Sequence, residues 1–414
     1  MEANLEETTG KRKSFKGAFA LMTSLFFMWG AIVSLNDILI PHFKKLFDMS
    51  YTETMLIQFS SFGAYFVMAI PASIVVSKIG YKRGIVVGLV TVGVGCLIFL
   101  PASWAISYPL FLFGLFVMAT GNVFLQVVAN PYVSILGPPK TASSRLNLAQ
   151  GVNSLATTIT PYIGGLLILG THGTAEEAAA AVEGPYIGLA LLAFLIAGVF
   201  AFAVKLPTVI KETEKKIKGN VLKFKRLRFG VIALTLYVGA EVAIGSYIVN
   251  FLAEPNIAGF EEFEAAKYIS LYWGGLMVGR FVGSAILQKF SANKVLFIAA
   301  LMSVLLLTIT ILTNGYVAMW SMLAVGLFNS IMWSNIFALS IDGLGKYTMK
   351  ASGILVMAPV GGAIFPLLQG VLADMPSIGL HLSYILPLLC YAFIIYYAVS
   401  GYKAVPGELE KVEA

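Results

Sequence analysis

Within an apolar run that begins near Ala18, the stretch from Phe26 to Phe43 reads FFMWGAIVSLNDILIPHF and sets Asn36 beside Asp37. An ionised carboxylate in hydrocarbon costs roughly 2.5–3.5 kcal/mol even on a lenient insertion scale. Asp37 therefore calls for a partner, a water-filled cavity, a bound cation or a proton, and a carboxylate placed this way is suited to coupling. The plain alternative is an Asp close enough to the outer interface to stay wet as a helix-end residue. Two further charges fall mid-run: Glu241 in YVGAEVAIGSYIVNF and Arg280 in GGLMVGRFVGS. They lie at comparable depth in consecutive antiparallel runs, so a salt bridge between them would neutralise both. In the alternative, Glu241 hydrogen-bonds a ligand and Arg280 pairs with backbone carbonyls.

Amides are the third chemical group. Gln126, Gln150, Asn153 and Asn329 all fall in apolar surroundings, as do Asn130 and Asn335. An amide offers a donor and an acceptor from one side chain, which matches a hydroxyl that does both, so these residue types suit a sugar. Aromatic rings would cover its C–H faces, and Trp273, Trp333 and Phe337 are the candidates. Part of this set serves as glue between helices, worth roughly 0.6 kcal/mol each, and that role is favoured for Asn130 and Asn335. No G-x-x-x-x-G-K-[ST] loop is present, so ATP does not drive the work. The three histidines, His42, His172 and His381, fall in or beside outer loops. No Ser/His/Asp set forms, and an enzyme is disfavoured.

These residues need elements that hold them in lipid. Mean hydropathy is +0.85, with 58% hydrophobic and 12% charged residues, where a soluble globule carries about 25% charged. The chain is a polytopic, all-α membrane protein. Apolar runs fall near 18–40, 54–76, 85–105, 109–135, 146–170, 186–204, 229–253, 269–288, 294–313, 316–340, 351–373 and 381–401, each about the 20 residues a bilayer crossing needs. Twelve transmembrane helices are predicted.

Lys and Arg collect in alternate connections, among them Lys11, Lys82, Arg83, Lys140, Arg145, Lys289 and Lys350. By the positive-inside rule that side is the cytoplasm and holds both termini, in a plasma (inner) membrane. Arg145 reads as one of these topology signals. Asp342 and Asp374 read as solvated loop ends. The net charge of +7 is accounted for by these loops, so nucleic-acid binding is not indicated. Cys96 and Cys390 lie in apolar runs and read as small packing residues.

The 205–228 segment is the one long basic polar stretch and divides six runs from six. It predicts an N-terminal bundle over 1–204, a cytoplasmic linker and a C-terminal bundle over 229–414. The halves repeat weakly: a shift of 205 residues sets Gly121 on Gly326, Asn130 on Asn335 and Pro161 on Pro366, and a similar shift sets Ser73 on Ser284. Two pseudo-symmetric six-helix bundles follow, with a shared site expected between them at the midplane.

The run NDILIPHFKKLF, then ANPYVSILGPPKTASSRLNLAQGVNS, together with this six-plus-six pattern, resembles the fucose permease and glucose/galactose transporter family of the major facilitator superfamily. The loop Gly80-Tyr81-Lys82-Arg83-Gly84 resembles the superfamily's loop between spans two and three but lacks its acidic residue. The resemblance implies the major facilitator fold and cation-coupled symport of a hexose, glucose or galactose, by a monomer surrounded by lipid. It assigns Asp37 to coupling and Gln150 to sugar binding. Fucose permease has an essential Glu where this chain has Gln126. Gln126 and Glu241 both resemble the glucose/galactose branch. Asn153 lies three residues from Gln150 on the same helix face.

A Gln cannot titrate, whereas its carbonyl with Asn36 and Asp37 offers oxygens that a hard cation prefers. The residue types thus favour Na+ held at Asp37 over H+. The alternatives are a proton-coupled fucose-type permease and a non-transporting sugar sensor with a transporter fold.

Overall fold

The computed structural model describes residues 15–49, 51–168, 174–204, 206, 219–406 and 408; several side chains inside helices, including those of Asn36, Asp37 and Gln58, lie outside the described set. Span 1 is Phe15–Leu46. Spans 2 and 3 are the arms of the 47-residue helix Tyr51–Leu97, broken at Gly80, where φ is 82°. At about 1.5 Å per residue such a helix is some twice the thickness of a bilayer core. Gly80 adopts this left-handed conformation without the steric cost of a Cβ, and the chain turns back there.

Span 4 is Tyr108–Ile135, span 5 is Ala142–Ile168 and span 6 is Glu183–Gly198, ending in a π turn at Val199–Ala203. After the connection, span 7 is Lys225–Ala253, span 8 is Glu262–Lys289 and span 9 is Ala292–Leu312. Span 10 runs as Gly315–Asn329 and Met332–Ile341. Span 11 runs as Thr348–Leu355 and Gly361–Asp374 around a 3-10 turn at Ala358–Val360. Span 12 comprises Gly379–Ser383 and Ile385–Tyr396. Among the described residues these twelve helical segments follow the order of the twelve apolar runs.

Position in the bundle follows from what each helix must cover. In its most apolar window, span 4 is 78% buried and span 6 only 28%. Span 6 accordingly turns Leu191, Leu195 and Phe202 outward, which costs nothing where the surrounding medium is hydrocarbon. Spans 2 and 3 pack on span 4 and span 1 on span 5; in the second half span 7 packs on spans 11 and 12, and span 10 on spans 8 and 9.

The halves meet along spans 5 and 8 and along spans 2 and 11. Toward the end of the molecule that carries the basic loops, Ser144 Oγ donates to Ser284 O at 2.7 Å and Ser284 Oγ donates to Ser144 O at 3.0 Å. On the other side, Ser352 Oγ donates to Val127 O at 3.1 Å. Beside it a Cβ on Gly353 would lie 2.4 Å from Ser73 Cβ, so only glycine permits this approach. Ser73 and Ser284, equated by the internal repeat, thus occupy the two inter-half contacts that close the basic end.

Two charged residues make contacts beyond their sequence reading. Arg145 is more than a topology signal: its guanidinium donates to Val133 O at 3.1 Å, Ser134 O at 2.5 Å and Pro138 O at 3.0 Å. Val133 and Ser134 belong to the last turn of span 4, whose final carbonyls have no partner in a further helical turn, so Arg145 caps it and ties it to Pro138 in the following turn. Asp342 is a loop end as expected, with 62% of its side chain exposed, yet it pairs with Arg226 at 3.3 Å.

Candidate functional site

A cavity of about 250 Å³ opens between the two halves. Span 4 supplies Ala119, Asn122 and Gln126 to its wall, positions three, four and seven apart that share one helical face. Span 2 adds Tyr65, span 5 adds Gln150 and span 1 adds Trp29. From the second half come Glu241 on span 7, Arg280 on span 8 and Trp333 on span 10.

The polar side chains are held in place by one another. Gln126 Nε2 donates to the Tyr65 hydroxyl at 2.7 Å. Glu241 accepts from the Tyr237 hydroxyl at 2.8 Å, one helical turn earlier. Arg280 crosses to the other half, where Nη1 donates to Gln150 O at 3.3 Å and to Ser154 Oγ. Trp333 is braced from behind by Phe337, their rings stacked at 5.1 Å. The site is therefore a preformed chamber with amides and a phenol on one wall and two opposite charges on the other.

The structure brings Gln126, Gln150, Glu241 and Trp333 together, and parts the rest of the sequence-derived set. Asn153 does not reach the cavity: its amide donates to Phe26 O at 2.8 Å and its side chain lies where a Cβ on Gly30 would sit, so it ties span 5 to span 1. Asn329 is fully buried behind the wall, donating to the Tyr272 hydroxyl at 2.8 Å while its backbone oxygen accepts from Tyr237 at 3.0 Å. Trp273 is 43% exposed and lies edge-on to Tyr272, over Gly245, away from the cavity. Glu241 and Arg280 face the same space, yet no salt bridge joins them among the described residues: each is engaged by the hydrogen bonds above. Phe337 is second to Trp333 and fully buried. The side chains of Asn36 and Asp37 lie outside the described residues, as does His172.

Sequence reasoning missed Asn122, Tyr65 and Trp29, and treated Arg280 as structural only. Asn122 was within reach: it stands four residues before Gln126, on the same face of the same span. Tyr65 carried no such signal, because a lone Tyr in a membrane helix is ordinarily an interface or packing residue.

Residues 17–366 match the profile of the Major Facilitator Superfamily. The chain belongs to that superfamily. As a facilitator of this fold it is 49% identical to a glucose/galactose transporter of Brucella abortus, across 97% of this chain and 98% of the relative. It is 32% identical to the L-fucose-proton symporter of Escherichia coli, across 95% of each. The solved structure of FucP in the outward conformation superposes with a TM-score of 0.84 at 31% identity, covering 93% of this chain and 99% of the other. This facilitator is a transporter and not an enzyme.

Proposed function

We propose that this transporter is a hexose symporter, taking glucose or galactose as its substrate. The observation that carries this reading is the cavity itself. Neutral donors and acceptors on Gln126, Tyr65 and Gln150 face Trp333 across a space between the halves, which is the set of groups a sugar's hydroxyls and C–H face require. The names of the Brucella and Escherichia coli relatives support it.

Bundles over 1–204 and 229–414, joined by a cytoplasmic linker over 205–228, rock about this site in a monomer. The basic end faces the cytoplasm under the positive-inside rule, and the seal along Ser144, Ser284, Ser352 and Gly353 then corresponds to a state open to the outside. The resemblance to FucP in its outward conformation supports that assignment.

The coupling ion is a proton in this reading, loaded on Asp37, because the ion named among the relatives is the proton. Sodium, favoured by the oxygens of Asn36, Asp37 and Gln126, is the second reading. Proteoliposomes decide between them. Accumulation of glucose under a pH gradient with sodium replaced by choline is the expected result, and an absolute requirement for sodium would reverse the assignment. Asp37→Asn should abolish uphill accumulation and leave exchange partly intact, since the amide keeps the shape and loses the charge. Full gradient-driven uptake by that variant would remove Asp37 from the coupling role.

A further inference from the structure

The seam between spans 2 and 11 is built unlike the seam between spans 5 and 8. Span 5 is one continuous helix, whereas span 11 breaks after Leu355 and resumes at Gly361. The 205-residue shift that relates the halves sets Ser154, inside span 5, on Pro359, inside the break. Pro359 has no N–H to offer Leu355 O, and Val360 N donates to Met357 O at 3.1 Å rather than to Val356 O. Two successive rungs of the helical ladder are therefore missing. Non-helical backbone at membrane depth is tolerated where it is buried in protein or lines a water-filled cavity, and Pro359 borders the chamber.

The pieces on either side of the break are fastened to different halves. Toward the basic end, Thr348–Leu355 packs chiefly on spans 2 and 4, with Ser352 Oγ bonded to Val127 O and Gly353 set against Ser73. Beyond the break, Gly361–Asp374 packs chiefly on span 7. There a Cβ on Gly361 would collide with Thr235 O, and the Tyr247 hydroxyl donates to Pro366 O at 3.1 Å. One span is thus held at one end by the first half and at the other by the second, with the interrupted stretch between.

We infer that residues 356–360 are a hinge, about which the Thr348–Leu355 piece of span 11 swings against its own bundle when the basic end opens. A 3-10 stretch inside a helix often marks such a point, and proline is a regular cause of sharp kinks. The hinge rests on the reading of transport as motion between two bundles and deepens it. The second half does not move as one rigid body; its sealing piece opens by a local change of backbone angles. The first half has no counterpart at the matched position, because span 5 is unbroken there.

The test compares two substitutions that restore the same N–H. Pro359→Ala does so with a residue that favours helix, and Pro359→Gly with one that does not. Each is combined with Ser352→Cys in the purified full chain, and glucose binding by each shows that it is folded. Labelling of the fully buried position 352 by an impermeant thiol reagent reports opening at the seal. It should be about fivefold slower in Pro359→Ala than in Pro359→Gly, the factor by which the two residues differ in helix propensity. Glucose uptake per glucose-binding protein should follow the same order. Equal labelling in the two, fast or slow, overturns the hinge and leaves the hexose reading standing, since a rigid bundle responds alike to both. A chain that binds no hexose overturns the hexose reading alone, and the labelling comparison still decides the hinge.

Discussion

Where the first half meets the cavity it presents Asn122, Gln126, Tyr65 and Gln150, all neutral; where the second half meets it, Glu241 and Arg280 are both ionisable. The halves repeat weakly in sequence, and Ser73 and Ser284 at the basic end occupy matched positions, but the chemistry of the two walls does not repeat. Neutral amides recognise hydroxyls with little penalty for desolvating charge. A carboxylate and a guanidinium in the same space set a field that acts on everything entering it. The walls are not independent, because Arg280 of the second half is bonded to Gln150 O and Ser154 of the first. Arg280 therefore ties the two walls of the chamber together.

The sharpest break of this division is Arg280→Gln. It removes the bond to span 5 and leaves the Glu241 carboxylate without a cation across the chamber. Losing the charged hydrogen bonds to Gln150 O and Ser154 Oγ costs about 1.5–3 kcal/mol, and hexose uptake should fall by one to two orders of magnitude. Adding Glu241→Gln should restore part of it, by removing the stranded charge. Recovery stays incomplete, since the contact with Gln150 and Ser154 is still gone. Near-normal uptake by Arg280→Gln alone would show that the second wall's charge is dispensable.

On the neutral wall the expected losses are smaller and of another kind. Gln126→Ala and Gln150→Ala should each weaken glucose binding by about 1–3 kcal/mol, because a sugar hydroxyl loses its partner. Equilibrium binding to purified protein measures this. Unchanged affinity in both would place these amides among the helix-to-helix contacts, with Asn153.

Asn153 shows where sequence stops being informative. Its spacing from Gln150 is right for a shared helix face, but a buried amide serves a backbone carbonyl as well as a sugar, and composition cannot say which is within reach. The architecture was far more legible, because lipid forces each crossing into about 20 apolar residues and basic loops mark one side. Glu241 and Arg280 were both visible as intramembrane charges, and their depth suggested a pair. The alternative in which Arg280 pairs with a backbone carbonyl agrees with the structure, where span 5 presents Gln150 O to it; what could not be read was which reading wins, and that Tyr237, one turn from Glu241, engages the carboxylate. Such choices depend on side-chain directions across helices, which the chain's periodicity leaves open.

Next in size is the seal at the basic end, where the halves are again unequal. One side closes by reciprocal serine hydrogen bonds and the other by the close approach of Gly353 to Ser73. Gly353→Leu places atoms where Ser73 and the Ala69 carbonyl already stand, so it should pry span 11 from span 2. A cysteine at Ser352 reports this, with little background because Cys96 and Cys390 are both buried. Its labelling by an impermeant thiol reagent from the basic side should rise several-fold when Gly353→Leu is added. Equal labelling with and without the wedge would mean the seal tolerates it.

The smallest effect belongs to the helix ends, and it contrasts the halves once more. Span 4 is closed by Arg145, whose guanidinium serves three carbonyls and the Thr141 hydroxyl. Span 10 ends at Asp342, held by Arg226 through both its backbone oxygen and its carboxylate. Asp342→Ala removes only the carboxylate, 62% exposed, and leaves the carbonyl for Arg226. An exposed ion pair is worth about 0–1 kcal/mol, so the melting temperature in detergent should move by less than about 2 °C. Arg145→Ala strips every one of its acceptors at once, and charged hydrogen bonds of this kind are worth about 1.5–3 kcal/mol. The ratio of the two shifts is the informative quantity: a drop for Asp342→Ala as large as that for Arg145→Ala would mean that the second half relies on its surface ion pair as heavily as the first relies on its cap.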